Sequence, residues 1–303
     1  MNVFVAGGSG TIGIPLVRAL VQAGHQVAAT TRSPARQEQL RALGALPVVV
    51  DALDKDALVR AVQAASPTHV IHELTALPKA GPKRASELDP TNRLRDEGTR
   101  NLLVAAIAAR ATRFIGGSFA LIGAAADAAG DSPLDAAAAA IRSMESQIVS
   151  AARGGSIEGI VLRYGLFYGS GNPSTVELVK LARRRLLPAI RGDRGQLPYI
   201  HLDDVVGATI AALERGRSGE IYDIVDDSAM SYSEMARTLA SAIGAPRPMT
   251  VPGWIFRLVE PYRSRLLAVR LPLSNAKAVS ELGWRLKYPS IREGLAELRA
   301  RPA

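Results

Sequence analysis

An apolar run over residues 3–6 leads straight into Gly7, Gly10 and Gly13, and no other feature of this chain constrains its fold so tightly. Four apolar residues in succession read as a buried strand. The amphipathic run that follows carries Ile12, Ile14, Leu16, Val17, Leu20 and Val21, and a second apolar stretch over 26–31 closes a βαβ unit. Glycines suit such a turn for steric reasons: one makes the bend, one lets a pyrophosphate approach the backbone, and one lets helix and strand pack closely. The first N–H groups of the helix have no intrahelical partners and favour an anion. A glycine triplet alone is weak, but here it follows a strand and opens a helix, as the mechanism requires. The expectation is a dinucleotide held at Gly7, Gly10, Thr11, Ile12 and Gly13, the alternative being a bare β–α turn.

The same alternation continues. Apolar runs predict strands over 47–50, 68–72, 113–117, 160–164 and 221–225, with helical stretches between them, including 55–64. An alanine-rich segment over 124–140 continues into a helix over 141–152. Strands alternating with helices imply an α/β protein, a doubly wound parallel Rossmann sheet covered on both faces. We therefore expect a dinucleotide-binding domain over 1–165, its sheet completed by segments near 199–225. A smaller, mainly helical C-terminal lobe over 166–198 and 226–303 should cover a substrate.

At 303 residues with 48% hydrophobic content, the chain can bury a large core. It has no cysteine, which rules out disulfides, a thiol nucleophile and cysteine-ligated metal, and suits a cytoplasmic location. The N-terminus lacks the pattern of a secretory leader. No window reaches the ~18 uninterrupted apolar residues of a membrane span, so no membrane insertion is expected. His69 and His72 are three apart on a strand and face opposite sides, so no metal is expected. The net charge of +9 raises the question of acidic partners. No zinc-finger, helix-turn-helix or RNP-like pattern accompanies it, so an anionic cofactor or substrate on a solvated basic surface is preferred to nucleic acid.

The end of the second strand decides the form of cofactor. An acidic residue there would accept hydrogen bonds from the adenosine ribose. This chain has Thr31 and then Arg32, with Arg36 one turn on. A guanidinium matches a 2′-phosphate, which predicts NADP(H), with NAD(H) as the alternative. Asp51 suits either an acceptor for the adenine amino group or a cap for the next helix.

These landmarks resemble the extended short-chain dehydrogenase/reductase superfamily, in its NAD-dependent epimerase/dehydratase branch. The likeness includes the glycine fingerprint, Gly98-Thr99-Arg100-Asn101-Leu102-Leu103, Leu162-Arg163-Tyr164 with Tyr168-Gly169, Ile200-His201-Leu202-Asp203-Asp204 and Glu281-Leu282-Gly283-Trp284. The resemblance implies that Asp51, Ala52, His72, Leu74 and the Tyr164 backbone line the cofactor, and that Ser118 meets the reacting oxygen. It also implies a Tyr-x-x-x-Lys pair, which this chain lacks. Counting back from Glu145, Ala137 and Ile141 hold those places, with no tyrosine between Ser118 and Tyr164 and no lysine between Lys83 and Lys180. Leu197-Pro198 and Leu166 replace residues that the branch uses to grip nucleotide sugars, which argues against such a substrate.

Ser118, Tyr164 and Arg95 are then the catalytic candidates, Arg95 as a cation that orients a carbonyl. Tyr168, His72, Glu73 and His201 also stand near strand ends, His201 being read as structural. The leading expectation is an NADP(H)-dependent oxidoreductase, or epimerase/dehydratase-type enzyme, with non-standard proton transfer. Its small-molecule substrate would be a small to medium, fairly apolar carbonyl or alcohol, suggested by Trp254-Ile255-Phe256 and Leu266-Leu267. The missing pair keeps open a non-catalytic NADP(H)-binding sensor or assembly factor, and the basic surface keeps open RNA. The resemblance also implies a homodimer through the helices near 99–109 and 138–152.

Overall fold

Strand β1 (Asn2–Ala6) is buried on both faces from Val3 onwards, as the centre of a helix-covered parallel sheet requires. The computed structural model describes residues 1–78, 81–122, 135–268, 270 and 273–299. From β1 the chain runs through α1 (Gly13–Gln22), β2 (Gln26–Thr31), α2 (Gln37–Ala42), β3 (Leu46–Val49), α3 (Lys55–Ala65) and β4 (His69–His72). It continues through α4 (Asp89–Arg93), a π-helical turn (Leu94–Gly98), α5 (Thr99–Ala108), β5 (Arg113–Phe119), α6 (Asp135–Arg153) and β6 (Glu158–Tyr164). The second half holds β7 (Leu166–Tyr168), α7 (Pro173–Arg183), β8 (Ala189–Arg191), β9 (Tyr199–His201), α8 (Leu202–Arg215) and β10 (Ile221–Ile224). After α9 (Tyr232–Ala242) and β11 (Thr250–Pro252) come α10 (Gly253–Val259), α11 (Pro261–Leu267), α12 (Ala276–Leu282) and α13 (Ile291–Ala296).

Seven strands form one parallel sheet in the order β10-β6-β5-β4-β1-β2-β3. The order turns back between β1 and β4, so a crevice opens beyond their C-terminal ends, where such sheets bind ligands. Side chains alternate strictly. Val3 and Val5 pack with Leu16 and Val17 of α1 and Val205 and Leu213 of α8. Phe4 and Ala6 pack with Leu58 of α3, Leu102 of α5 and Met144 of α6.

Three expectations shift. Strand β5 runs on past residue 117 because Ser118 pairs with Arg163 and Phe119 with Tyr164 on the longer β6. Helix α6 already runs from Asp135, in keeping with the helix propensity of its alanines; the rest of the alanine-rich stretch, 124–134, lies outside the described residues. The tail is not all lobe: Ala278, Leu282 and Trp284 return to pack with α1, α8 and the sheet.

The lobe is built from separate stretches. Strand β7 pairs with β9 and β8 with β11, both in parallel. Tyr168, Leu197, Tyr199, Leu239 and Ile291 form its core. Of the apolar segment expected to face a substrate, Trp254 is 66% exposed, whereas Phe256 is buried against Tyr232. Leu266 packs towards Tyr262 at the lobe's inner side.

Candidate functional site

The glycine loop is closed by its own backbone. Gly7 sits at φ +92°, and a Cβ there would come within 2.6 Å of the Glu73 carbonyl oxygen. A Cβ on Gly13 would meet Gly7 O and stand 2.6 Å from the Gly8 carbonyl. The Gly10 N–H donates to Gly7 O at 2.9 Å. No side chain caps α1, and its first turn holds no acid. The helix's positive end is thus left to an anionic ligand.

Beside this loop, the end of β2 presents hydroxyls and cations. Thr30 Oγ1 accepts from the Gly7 N–H at 2.9 Å, and Thr31 Oγ1 accepts from Ser9 Oγ and the Ser33 N–H, each at 3.1 Å. Arg36 Nη1 donates to Ser9 O at 2.9 Å. Arg32 is exposed, and its side chain has no hydrogen-bond or ion-pair partner among the described residues. Hydroxyls and a free guanidinium, with no carboxylate over 31–36, fit a phosphorylated ribose.

The remaining cofactor-loop candidates are held as follows. Asp51 Oδ1 accepts from the Leu53 N–H at 3.0 Å, and Asp54 rather than Asp51 caps α3. Ala52 is buried, and its carbonyl accepts from Asn101 Nδ2 at 3.0 Å. His72 Nδ1 accepts from the Leu74 N–H at 3.2 Å, so its Nε2 donates to Thr99 Oγ1 at 3.0 Å. Burial pushes the His72 pKa down to about 4, so the ring is neutral and fixes the loop leaving β4.

Two buried polar clusters flank β5 on opposite faces. On the α6 face, Ser118 Oγ donates to Glu145 Oε1 at 2.7 Å, and Arg163 grips the same carboxylate through Nε at 2.9 Å and Nη2 at 2.6 Å. The Ser118 proton is therefore committed to Glu145. On the other face, Tyr164 Oη lies 2.8 Å from Glu73 Oε1 and 2.9 Å from Thr209 Oγ1, which in turn donates to Val205 O. Gly117 makes room for this carboxyl, because a Cβ there would press on the Tyr164 ring and the Glu73 head.

Burial raises the Glu73 pKa to about 8, partly offset by the Tyr164 hydrogen bond. The Tyr164 hydroxyl donates to the Glu73 carboxyl, and the Thr209 hydroxyl donates to Val205 O. The group's stabilisation is complete below the ordinary carboxylate pKa and is lost as pH rises through about 8. We expect Glu73→Gln to gain on the wild type in melting temperature by at least ~2 °C between about pH 5 and about pH 9. Parallel melting curves would refute the buried acid.

Arg95 is turned inwards by the π-helical turn and is 7% exposed. It lies close enough to His72, Glu145 and Tyr262 to act on each electrostatically. Tyr262 packs on Ala137, Ala138 and Ile141, the stretch where a Tyr-x-x-x-Lys pair would stand. No residue pattern points to Tyr262, which reaches this place only through the tertiary fold. Tyr168 and His201 belong to the lobe's frame instead: Tyr168 Oη donates to Asp226 Oδ2 at 3.0 Å, and His201 Nδ1 accepts from the Asp203 N–H to cap α8. Among the described residues there is no metal-binding group of His, Asp or Glu, and no helix long and apolar enough to cross a membrane.

The profile of the NAD dependent epimerase/dehydratase family matches residues 3–225. The chain belongs to this family. Among family relatives, it is 35% identical to a 3-diazoavenalumate denitrifying reductase from a Streptomyces species, over 97% of this chain and 99% of the relative. It is 28% identical to the 2-alkyl-3-oxoalkanoate reductase of Stenotrophomonas maltophilia, over 82% and 77% of the two chains. The fold matches human epimerase family protein SDR39U1, solved with NADPH, with a TM-score of 0.78 at 22% identity over the whole of both chains. Family and relatives together make this an enzyme of the NAD(P)-dependent oxidoreductase/epimerase type.

Proposed function

We propose that the protein is an NADP(H)-dependent reductase of a small to medium, largely apolar carbonyl compound. The observation that carries the reading is Arg32, exposed and unpartnered beside Arg36 and the Thr31 hydroxyl, where an acidic residue would select NAD(H). NADP(H), when bound, supplies or accepts the hydride. The glycine loop and the free N-terminus of α1 bind its pyrophosphate, and Arg32 its 2′-phosphate. Asp51, Ala52, His72 and Leu74 border the loops that flank it, and the backbone at Tyr164 lies towards its reactive end.

Arg95 is the candidate to touch the substrate and bind one of its oxygens. Ser118 acts through Glu145 and Tyr164 through Glu73, so both are positioning residues in this reading. The proton reaches the product from water or from a residue outside the usual pair. Two relatives are named as reductases, which supports reduction over epimerisation.

The test is a fluorescence titration with NADPH and NADH. NADPH should bind more tightly, and Arg32→Ala should weaken it by about 10-fold to 150-fold, the equivalent of one charge-assisted contact of roughly 1.5–3 kcal/mol. A preference for NADH, or binding of neither, overturns the proposal. A second reading, a non-catalytic NADP(H) sensor, is favoured by Ala137 and Ile141 at the pair's positions. Multiple turnovers of NADPH on a panel of ketones and keto acids exclude it.

A further inference from the structure

Arg95 is a buried cation whose donors the protein leaves largely unused. A guanidinium offers five N–H donors. At 7% exposure, Arg95 makes one long contact among the described residues, from Nη1 to Asn92 Oδ1 at 3.4 Å. No carboxylate among those residues lies within ion-pair distance of it. Glu145, the acid whose charge reaches it, is already gripped by Arg163 Nε and Nη2 and by Ser118. Burial lowers the Arg95 pKa only to about 10, so the charge persists at neutral pH.

A buried charge is tolerated only when it is paired, and the group besides Glu145 that acts on this one is Tyr262. Tyr262 enters from α11 and packs with Leu88, Ile122, Ala137 and Ile141. Tyr262 is 8% exposed and lies within the field of Arg95. A fork-shaped cation, a phenol and an apolar wall match an anionic head on a hydrocarbon body. Carboxylate is the planar partner that a guanidinium binds through two parallel hydrogen bonds.

We propose that Arg95, with the Tyr262 hydroxyl beside it, is the seat of a substrate carboxylate whose alkyl or aryl chain lies along Leu88, Ile122, Ala137 and Ile141. This inference rests on the reductase reading and narrows it to keto acids and related carboxylates.

The test is calorimetric titration of the full-length protein with 3-hydroxydecanoate and 4-hydroxycinnamate, each against its methyl ester, with and without NADP+. The wild type should bind at least one acid about tenfold or more tighter than its ester, as expected for a charge-assisted pair. Arg95→Met should bind acid and ester alike, Arg95→Lys should keep part of the preference, and Tyr262→Phe should weaken the acid more than the ester. The lysine and phenylalanine variants keep the test open if the methionine variant fails to fold. Equal binding of acid and ester by the wild type overturns the seat, as does binding of neither probe or a preference that survives in Arg95→Met. A comparable loss of NADPH affinity in Arg95→Met also overturns it, by assigning the cation to the cofactor. NADPH binding without an acid preference defeats the seat alone. Failure to bind NADPH defeats the cofactor reading, and the acid–ester ratio without cofactor still decides the seat.

Discussion

Glu145→Ala is expected to lower the unfolding free energy by about 3–5 kcal/mol, the range for removing one partner of a buried ion pair. Glu145 is 5% exposed, and its carboxylate serves Arg163 twice and Ser118 once. Deleting it removes both of these Arg163 contacts and takes away the acceptor of the Ser118 hydroxyl. The loss falls where β5, β6 and α6 meet, so urea unfolding by circular dichroism reads it directly. Glu145→Gln keeps one acceptor oxygen and should lose less. In the Glu145→Ala background, Arg163→Leu should recover part of the stability, because it removes the buried charge left by the first change. A loss below about 1 kcal/mol would show that Arg163 does not depend on Glu145 for its burial.

Gly13→Ala is expected to abolish tight NADPH binding, with about a hundredfold weaker affinity, and to lower stability by about 1–3 kcal/mol or more through overpacking. The colliding atoms are Gly7 O and the Gly8 carbonyl, which are backbone and cannot rotate aside. Relief requires the loop to part from the start of α1, and with it the N–H groups aimed at the pyrophosphate. Fluorescence titration and a melting curve on the same sample check both effects. Affinity within threefold of the wild type would show that the loop does not hold the cofactor.

Where local pattern determines structure, the sequence was readable. The β1–α1–β2 unit follows from period and glycine spacing, and β2 begins and ends at the residues expected, Gln26 and Thr31. His201 as a helix cap was legible because capping depends on near neighbours. The positions that escaped depend on partners far along the chain. The β5 extension through Phe119 needs β6 as a template. Arg95 points inwards because of a π-helical turn that no residue pattern announces. Tyr262 fills the space beside Ala137 and Ile141 from a helix more than a hundred residues later. Ser118 was placed correctly at the end of β5, but the orientation of its hydroxyl depends on which face of the sheet α6 covers.

The return of Ala278, Leu282 and Trp284 to the face made by α1 and α8 bears on how the chain is born. A ribosome adds about 5–20 residues per second, and domains usually fold as they emerge. Here the opening βαβ unit is made first, yet the apolar surface between α1, α8 and Tyr222 waits for residues 276–284 before it is covered. For several seconds a nascent chain carries an almost finished sheet with one flank bare, a form prone to aggregate or to recruit chaperones. A ribosome stalled before Ala276 would hold the chain in that form, so translation has to pass Trp284 before this flank of the fold can close.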